Sequence, residues 1–154
     1  MRAEPAAGTL LVVSTGSANN AASITVRRGT GADVNSACSV LADAFADSPW
    51  TDWTVDGDRH EPARAAAAAA AYLHPTEAHY YLGAVGVRRD RRRCGLGTAV
   101  LQPVLERVQA EGASAYLETS TPENVDFYTR LGFAITGEVQ ILDEGPNIWA
   151  MMRR

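Results

Sequence analysis

The sequence predicts a mixed fold of helices and strands, an α/β or α+β three-layer sandwich, from three observations. Strand and helix patterns follow one another in the order strand–helix–helix–strand–helix–strand–helix–strand–strand. Such an order places helices against the faces of a sheet. The length of 154 residues favours one domain, and the apolar fraction of 46% is sufficient for one sizeable core.

The N-terminal part of the chain predicts a leader followed by a strand and a helix. Residues 1–22 are rich in Ala, Ser, Asn and Gly, so we expect a flexible leader, with a strand at residues 10–14 as an alternative. Residues 23–28 alternate apolar and polar side chains and are rich in β-branched types, which predicts a strand. Asp33 is expected to cap a helix that ends at Ser48-Pro49. The apolar face of that helix comprises Val34, Ala37, Cys38, Leu41 and Phe45.

Three segments lead from this helix to the glycine-containing region. Residues 50–55, with two tryptophans, are typical of a turn. Seven consecutive alanines at residues 65–71 predict a helix over residues 64–73, because alanine has the highest helix propensity, although a low-complexity helical spacer explains them equally well. The aromatic and apolar run at residues 79–87 predicts a second strand.

The C-terminal half predicts two further helices and three strands. Thr121 is expected to cap the second of these helices, with Pro122 at its first position, and Gly132 to end it in the left-handed conformation. Pro103 lies inside the first helix and removes one of its hydrogen bonds. The predicted ranges are a helix at 96–110, strands at 115–118, 133–139 and 148–152, and a turn at 143–146.

Charge, cysteine content and hydropathy exclude several classes of protein. The formal net charge of −4 argues against a molecule that binds polyanions with its whole surface. The two cysteines, Cys38 and Cys94, lack the spacing of a zinc site, so we expect no metal. No apolar run approaches the roughly 20 residues that cross a membrane, and no segment is typical of a signal peptide. These features predict a reduced, cytoplasmic protein without a membrane partner.

The most informative segment is the run of residues 87–98, where five arginines precede Gly95 and Gly97. It lies between a predicted strand and a predicted helix. The start of a helix leaves backbone N–H groups unpaired, and these donors bind phosphate together with the helix dipole. Glycines allow the backbone to approach such a ligand closely. Taken alone, however, the pattern also suits a solvated loop or a nucleic-acid patch.

Two motifs in order make the phosphate-binding interpretation more specific. Arg92, Gly95 and Gly97 resemble the Q/R-x-x-G-x-G/A motif of the GNAT N-acetyltransferases. Downstream, the run from Asn124 to Phe133 is similar to the N-x-x-F-Y-x-x-x-G-F segment of the same family. The resemblance implies an N-acetyltransferase domain with a mixed sheet at residues 23–154. It is strongest over residues 79–154.

The resemblance implies a binding site for acetyl-CoA. The strand at residues 79–87 would splay from its neighbour, and its backbone would pair with the pantetheine arm as an added strand would. The amides at residues 93–98 would hold the pyrophosphate, and Asn124 would contact the pantetheine arm. The implied cofactor-binding residues are Val85, Gly86, Val87, Arg92, Arg93, Cys94, Gly95, Leu96, Gly97, Thr98 and Asn124.

The resemblance also implies catalytic roles. Tyr128 would be the general acid that protonates the departing thiolate, the alternative being a tyrosine that only packs beside Phe127. A backbone N–H on the splayed strand would stabilise the oxyanion. Glu118 and His79 are candidates for the general base, and an ordinary exposed polar residue or a chain of waters are the alternatives.

The chain departs from the family between the second helix and the strand at residues 79–87. The family has a β-hairpin there, whereas residues 54–79 contain the alanine run and no recognisable strand. The sequence therefore predicts a fold truncated in its N-terminal half. That hairpin usually lines the acceptor pocket, so its loss bears on substrate binding.

The function that the sequence predicts is transfer of an acetyl group from acetyl-CoA to a primary amine of a small molecule or a protein. A CoA-binding remnant without catalysis is one alternative. A small nucleic-acid-binding module that uses residues 88–93 is another, and the negative net charge argues against it. An exposed sheet edge could pair with a second copy, so a homodimer is an open alternative.

Overall fold

A computed structural model describes residues 11–18, 21–55, 73–141 and 145–154 of the chain. The strands are β1 (Leu11–Ala18), β2 (Ala21–Arg28), β3 (His79–Tyr81), β4 (Ser114–Thr119), β5 (Ala134–Gln140) and β6 (Asn147–Arg153). The helices are α1 (Val34–Ala44), α2 (Pro49–Val55), α3 (Leu96–Ala110) and α4 (Pro122–Arg130). Short 3₁₀ turns at Gly31–Asp33 and Arg89–Arg91 precede α1 and α3.

The described strands form two sheets. β1 and β2 pair in an antiparallel hairpin, with Leu11 opposite Arg28. The other four strands form a mixed sheet in the order β3–β4–β6–β5, in which only β3 and β4 are parallel. Helices cover both faces of the mixed sheet, so the predicted sandwich with a mixed sheet is confirmed.

Alternate residues of the strands divide the core between the two faces. On one face, Ala115 and Leu117 of β4 and Met151 of β6 pack against Leu101, Leu105 and Val108 of α3. We call this the helix face, and α4 contributes Val125, Phe127, Tyr128 and Leu131 to it. On the opposite face, Trp53 of α2 packs against Ile141 and Ile148, and Tyr116 packs with Ala150 and Met152. The three layers are therefore α3 with α4, the sheet, and α2.

Most of the C-terminal half agrees with the prediction. Helix α3 spans the predicted residues, and α4 begins with Thr121 as its cap, where Thr121 Oγ1 accepts a hydrogen bond from Asn124 N–H at 3.3 Å. Gly132 adopts the left-handed conformation, with φ of +87°. The strands at the C-terminus are each within a residue or two of their predicted bounds. Strong patterns with explicit caps therefore predicted the elements that carry the site.

The N-terminal half requires several corrections. Leu11–Ala18 is a strand, so the assignment of residues 1–22 to a leader is wrong for this part. Residues 49–55 form helix α2 rather than a turn, because Pro49 begins a helix as readily as it ends one. Asp33 does not cap α1. Its carboxylate accepts a hydrogen bond from Thr30 N–H at 2.8 Å and forms an ion pair with Arg27. The alanine run lies outside the described residues, as do most of the interval proposed to lack a hairpin and half of the turn at 143–146.

Candidate functional site

The parallel strands β3 and β4 separate after one final hydrogen bond. Leu82 N–H donates to the carbonyl oxygen of Tyr116 at 2.9 Å, one residue beyond the paired residues Tyr81 and Tyr116. Within the described part of the chain, the backbone of residues 83–87 makes no further backbone hydrogen bond, while β4 continues to Thr119. The strand predicted at 79–87 is therefore paired only at its start. Beyond it a gap with free backbone groups can accept an extended ligand as an additional strand.

Helix α1 supports the outer side of this gap. A Cβ atom placed on Gly86 would lie 2.8 Å from Leu41 Cδ2 and 3.1 Å from the Cβ of Ala44. The backbone of residues 83–87 is therefore pressed directly against α1, and a side chain at Gly86 would push the two apart. The glycine has a packing role that the sequence motif did not indicate.

The loop that follows presents a row of backbone donors. We call residues 93–98 the glycine loop. Arg93 and Gly95 have φ of +62° and +78°, and Gly95 caps the N-terminus of α3. The first hydrogen bond at this end of α3 runs from Ala99 N–H to Gly95 O, at 2.9 Å. None of the N–H groups of the glycine loop has a partner among the described residues. These donors, at the positive end of the helix dipole, form a site that suits a phosphate group.

The two glycines of the motif have different physical roles. Gly95 has a positive φ, and nothing lies within 4 Å of a Cβ placed on it. A Cβ on Gly97 would instead lie 3.2 Å from Phe127 Cζ and 3.8 Å from Val87 Cγ2. The expectation that both glycines clear space for a ligand thus needs revision for Gly97, which allows α3 to approach α4. Gly95 sets the backbone conformation of the loop.

Three of the five arginines in this region have acidic partners. Arg92 donates to both carboxylate oxygens of Asp47, at 3.2 and 3.1 Å, and to the carbonyl oxygen of Ala44 at 2.8 Å. Arg89 pairs with Asp43 at the end of α1, and Arg88 with Asp90. Hydrogen bonds from the Arg89 backbone and the Arg92 side chain hold the pKa values of Asp43 and Asp47 below their ordinary value. Arg92 therefore fastens the loop to α1, and the basic surface is smaller than the sequence indicates.

Two arginine side chains near the glycine loop have no acidic partner among the described residues. Arg91 and Arg93 form no ion pair with any residue that the structure describes, and both are exposed. Cys94 is also exposed, and its thiol lies 3.5 Å from the carbonyl oxygen of Arg92. The free charges available to an anionic ligand thus lie next to the glycine loop, whereas the paired ones lie against α1.

Tyr128 lies in the last turn of α4, on the helix face. Its ring makes edge contacts with Phe127 and Phe133, at centroid distances of 5.1 and 5.8 Å. Burial raises the pKa of Tyr128 to about 12, so its phenol remains protonated at neutral pH. Its hydroxyl has no hydrogen-bond partner in the described residues. A protonated phenol that donates to no described residue has the properties that a general acid requires.

Asn124 lies one turn before Tyr128 on the same helix. Its backbone N–H donates to Thr121, but its side-chain amide contacts no described residue through a hydrogen bond. The amide is exposed and remains available to a ligand.

Glu118 lies on the opposite face of the sheet, in a group of titratable and aromatic side chains. We call His74, His79, Tyr81, Tyr116 and Glu118 the Glu118 cluster. Tyr81 Oη donates to Glu118 Oε2 at 2.9 Å, and His74 Nε2 lies 3.3 Å from Glu118 Oε1. The side chain of Glu118 is 14% exposed. A partly buried carboxylate beside a tyrosine hydroxyl and a histidine ring nitrogen is a candidate proton acceptor.

The rings of the cluster pack closely together. The ring of His74 lies 4.5 Å from that of Tyr116 and 5.0 Å from that of Tyr81, between centroids. Partial burial and the hydrogen bond to Glu118 raise the pKa of Tyr81 to about 12. Burial, and then the neighbouring carboxylate of Glu118, likewise raise the pKa of Tyr116, whose hydroxyl is fully buried. His79 takes part through its ring, while its Nδ1 lies 2.7 Å from the carbonyl oxygen of Glu77.

Comparison with known proteins now decides the family. The sequence model described as the acetyltransferase (GNAT) family matches residues 35–133, which is more than half of the chain. The chain belongs to the GNAT acetyltransferase family. The match includes the gap, the glycine loop and the whole of helix α4.

Relatives of this GNAT family member agree with the assignment. The L-methionine sulfoximine/L-methionine sulfone acetyltransferase of Pseudomonas aeruginosa is 37% identical over 68 residues, which are 42% of this chain and 40% of that protein. A crystal structure of histone acetyltransferase HPA2 and related acetyltransferase from Corynebacterium glutamicum has a TM-score of 0.61 at 23% identity, over 81% of this chain and 92% of the other. Naa20 of Chaetomium thermophilum, in complex with a bisubstrate analogue, has a TM-score of 0.55 at 18% identity, over 84% and 85%. The two structures show the shared fold.

In this member of the family the structure separates the predicted site residues into two groups. The glycine loop, Asn124 and Tyr128 belong to the side where α3 and α4 lie, while Glu118 and His79 belong to the opposite face. Sequence reasoning missed His74, Tyr81 and Tyr116. The period of two along a strand could have grouped Tyr81 with His79 and Tyr116 with Glu118. No sequence signal indicated His74.

Two further searches concern the described residues alone. No helix among them is both long and apolar enough to cross a membrane. No group of three or more His, Cys, Asp or Glu side chains in the same residues has an arrangement that could hold a metal ion.

Proposed function

We propose that this chain transfers an acetyl group from acetyl-CoA to a primary amine. The observation that carries the proposal is the row of unpartnered N–H groups in the glycine loop, at one end of the gap between β3 and β4. Acetyl-CoA supplies the acetyl group as a thioester and presents a pyrophosphate, whose negative charge suits these donors. The family match supports acyl transfer in general.

The chain's residues suit the other parts of the same ligand. The backbone groups of Val85, Gly86 and Val87 would pair with the amides of the pantetheine arm in the gap. The loop residues Arg93, Cys94, Gly95, Leu96, Gly97 and Thr98 would bind the pyrophosphate through their N–H groups. Arg92 would act from a distance, because its guanidinium is engaged with Asp47. Asn124 would contact the arm near its thiol end.

Two side chains would move the protons of the reaction. Glu118 accepts a proton from the amine, whose nitrogen forms a bond to the acetyl carbon as the bond from that carbon to sulfur breaks. A backbone N–H on the open edge of the gap stabilises the charge on the carbonyl oxygen. Tyr128 donates its phenolic proton to the departing sulfur. The amine thus enters from the face of the Glu118 cluster, and the thiol leaves on the helix face.

Ligand binding can be tested without knowledge of the acceptor. Acetyl-CoA at a hundred times its dissociation constant is expected to stabilise the folded protein by about 2.7 kcal/mol. A thermal-shift measurement with acetyl-CoA, CoA, ATP and NAD checks this, and ATP and NAD should give no comparable shift. An unchanged melting temperature with saturating acetyl-CoA would contradict the proposal.

Turnover can be tested by release of the CoA thiol. The amine panel should contain L-methionine sulfone and L-methionine sulfoximine, the compounds in the names of the relatives, and a peptide with a free N-terminus. The chain contains no lysine, so acetylation of its own lysines does not contribute to the signal. Binding of acetyl-CoA without amine-dependent release would favour the CoA-binding remnant.

A further inference from the structure

Two separate parts of the chain contact the carboxylate of Glu118. Tyr81, at the end of β3, donates to Oε2, and His74, which precedes β3 and belongs to no strand, has its Nε2 3.3 Å from Oε1. A carboxylate contacted at only one oxygen can rotate about its last side-chain bond. A polar contact at each oxygen restricts that rotation, while each oxygen keeps a lone pair for a further hydrogen bond.

His74 is the member of the cluster with the closest ring contacts. Its ring lies within 5.3 Å of the rings of His79, Tyr81 and Tyr116, measured between centroids. The side chain of His74 is 33% exposed, against 14% for Glu118. The sequence motifs of the family do not include this position.

We propose that His74 is a positioning residue, which holds Oε1 of Glu118 so that the carboxylate faces the amine in the gap. The proposal rests on the proposed function, since it assigns to Glu118 the role of general base. His74 itself neither touches the acetyl donor nor accepts the proton. It acts through Glu118, and its effect therefore disappears when Glu118 cannot take a proton.

Two substitutions of similar size separate the hydrogen bond from the packing. His74→Leu fills much of the space but has no donor, and we expect kcat to fall about 10- to 100-fold. His74→Gln keeps a side-chain N–H near the position of Nε2, and we expect kcat within about threefold of the parent. The KM for acetyl-CoA should be unchanged in both variants, because His74 lies on the face opposite α3 and α4. His79→Leu, which removes a ring of the same cluster that is bonded to Glu77 instead, reports what lost packing alone contributes.

A double substitution provides the decisive measurement. In a Glu118→Gln background, His74→Leu should lower kcat by less than twofold, because there is no base left to position. A full additional loss in that background would overturn the proposal. So would parent-like kcat in His74→Leu, or equal losses in the Leu and Gln variants with lowered melting temperatures. A parent protein that releases no thiol with any amine instead contradicts the proposed function itself.

Discussion

The two faces of the four-stranded sheet are built from alternate residues of the same strands, yet they have different chemistry. On β4, Leu117 is buried against α3 on the helix face, and its neighbour Glu118 lies among histidines and tyrosines on the other. The helix face is sealed by aliphatic and aromatic side chains. The opposite face holds a buried tyrosine hydroxyl and a partly buried carboxylate. The period of two along a strand thus allows one segment to contribute stability with one residue and chemistry with the next.

The largest expected effect concerns the face that carries the carboxylate. Glu118→Gln keeps the size of the side chain and removes its basicity, so turnover should fall about 10²- to 10⁴-fold. The melting temperature should change little, because Tyr81 can still donate to the amide oxygen, His74 can accept from the amide N–H as its other tautomer, and the apolar core is untouched. Thiol release and thermal unfolding measured on the same sample check both halves of this expectation. A variant that unfolds early without a specific loss of kcat would show that the two faces do not divide their roles.

Leu117→Ala is the matched test one residue earlier in the chain. Leu117 is 1% exposed within the core under α3, so the substitution should lower the free energy of unfolding by about 2–5 kcal/mol. Below the melting temperature, the folded fraction should retain kcat within a few-fold of the parent. Urea unfolding followed by circular dichroism gives the free energy of unfolding. Thiol release per folded molecule gives kcat. A stable Leu117→Ala protein with greatly reduced kcat would reverse the proposed division.

Tyr128→Phe tests the one proton donor that the helix face contributes. The substitution removes only the hydroxyl, and the ring keeps its contacts with Phe127 and Phe133. Turnover should fall on the order of a hundredfold, with nearly unchanged affinity for acetyl-CoA and nearly unchanged stability. Isothermal titration with acetyl-CoA and a thiol-release assay measure the two quantities. Unchanged turnover would show that the departing sulfur takes its proton from another source, such as solvent.

The smallest expected effect distinguishes the two glycines beside the gap. Gly95→Ala should cost about 1–2 kcal/mol through its positive φ, and it should weaken acetyl-CoA binding because it disturbs the donor loop. Gly97→Ala places a methyl group 3.2 Å from Phe127, so it should mainly lower stability through the contact between α3 and α4. Melting temperatures with and without acetyl-CoA separate binding from stability. Equal ligand-induced shifts in both variants and the parent would remove the glycine loop from the binding site.

The sequence predicted the helix face better than the opposite one, for a physical reason. Caps such as Thr121 and Gly132, and the apolar period of α3, are local signals that do not depend on distant contacts. The Glu118 cluster instead depends on where β3 stops pairing with β4 and on how residue 74 lies across the sheet. Those are long-range features, and a single histidine before a proline carries no pattern of its own. The strand at Leu11–Ala18 was missed in part for the same reason, because it is stabilised by its pairing with β2 and the sequence does not show that pairing.

The arginines give a second example. Their number near the glycine loop indicated a large basic surface, whereas acidic residues at the end of α1 neutralise Arg89 and Arg92 across more than 40 residues of chain. Sequence counts include charges without their partners. In the folded protein, the arginine run fastens α1 to the loop, and only some of its positive charges are available to a ligand.

Because backbone pairing of β3 with β4 ends at Leu82 and Tyr116, the strand β4 and an extended ligand would compete for the same backbone groups. The free backbone groups of residues 83–87 are the same groups that would continue the ladder onto β4, so zipping of the two strands and binding of an extended ligand exclude each other. The protein keeps the slot open by holding Gly86 against Leu41 and Ala44 of α1. Helix α1 thus holds residues 83–87 away from β4. Weakening its contact with Gly86 would lower ligand affinity even though none of the donors in the glycine loop had changed.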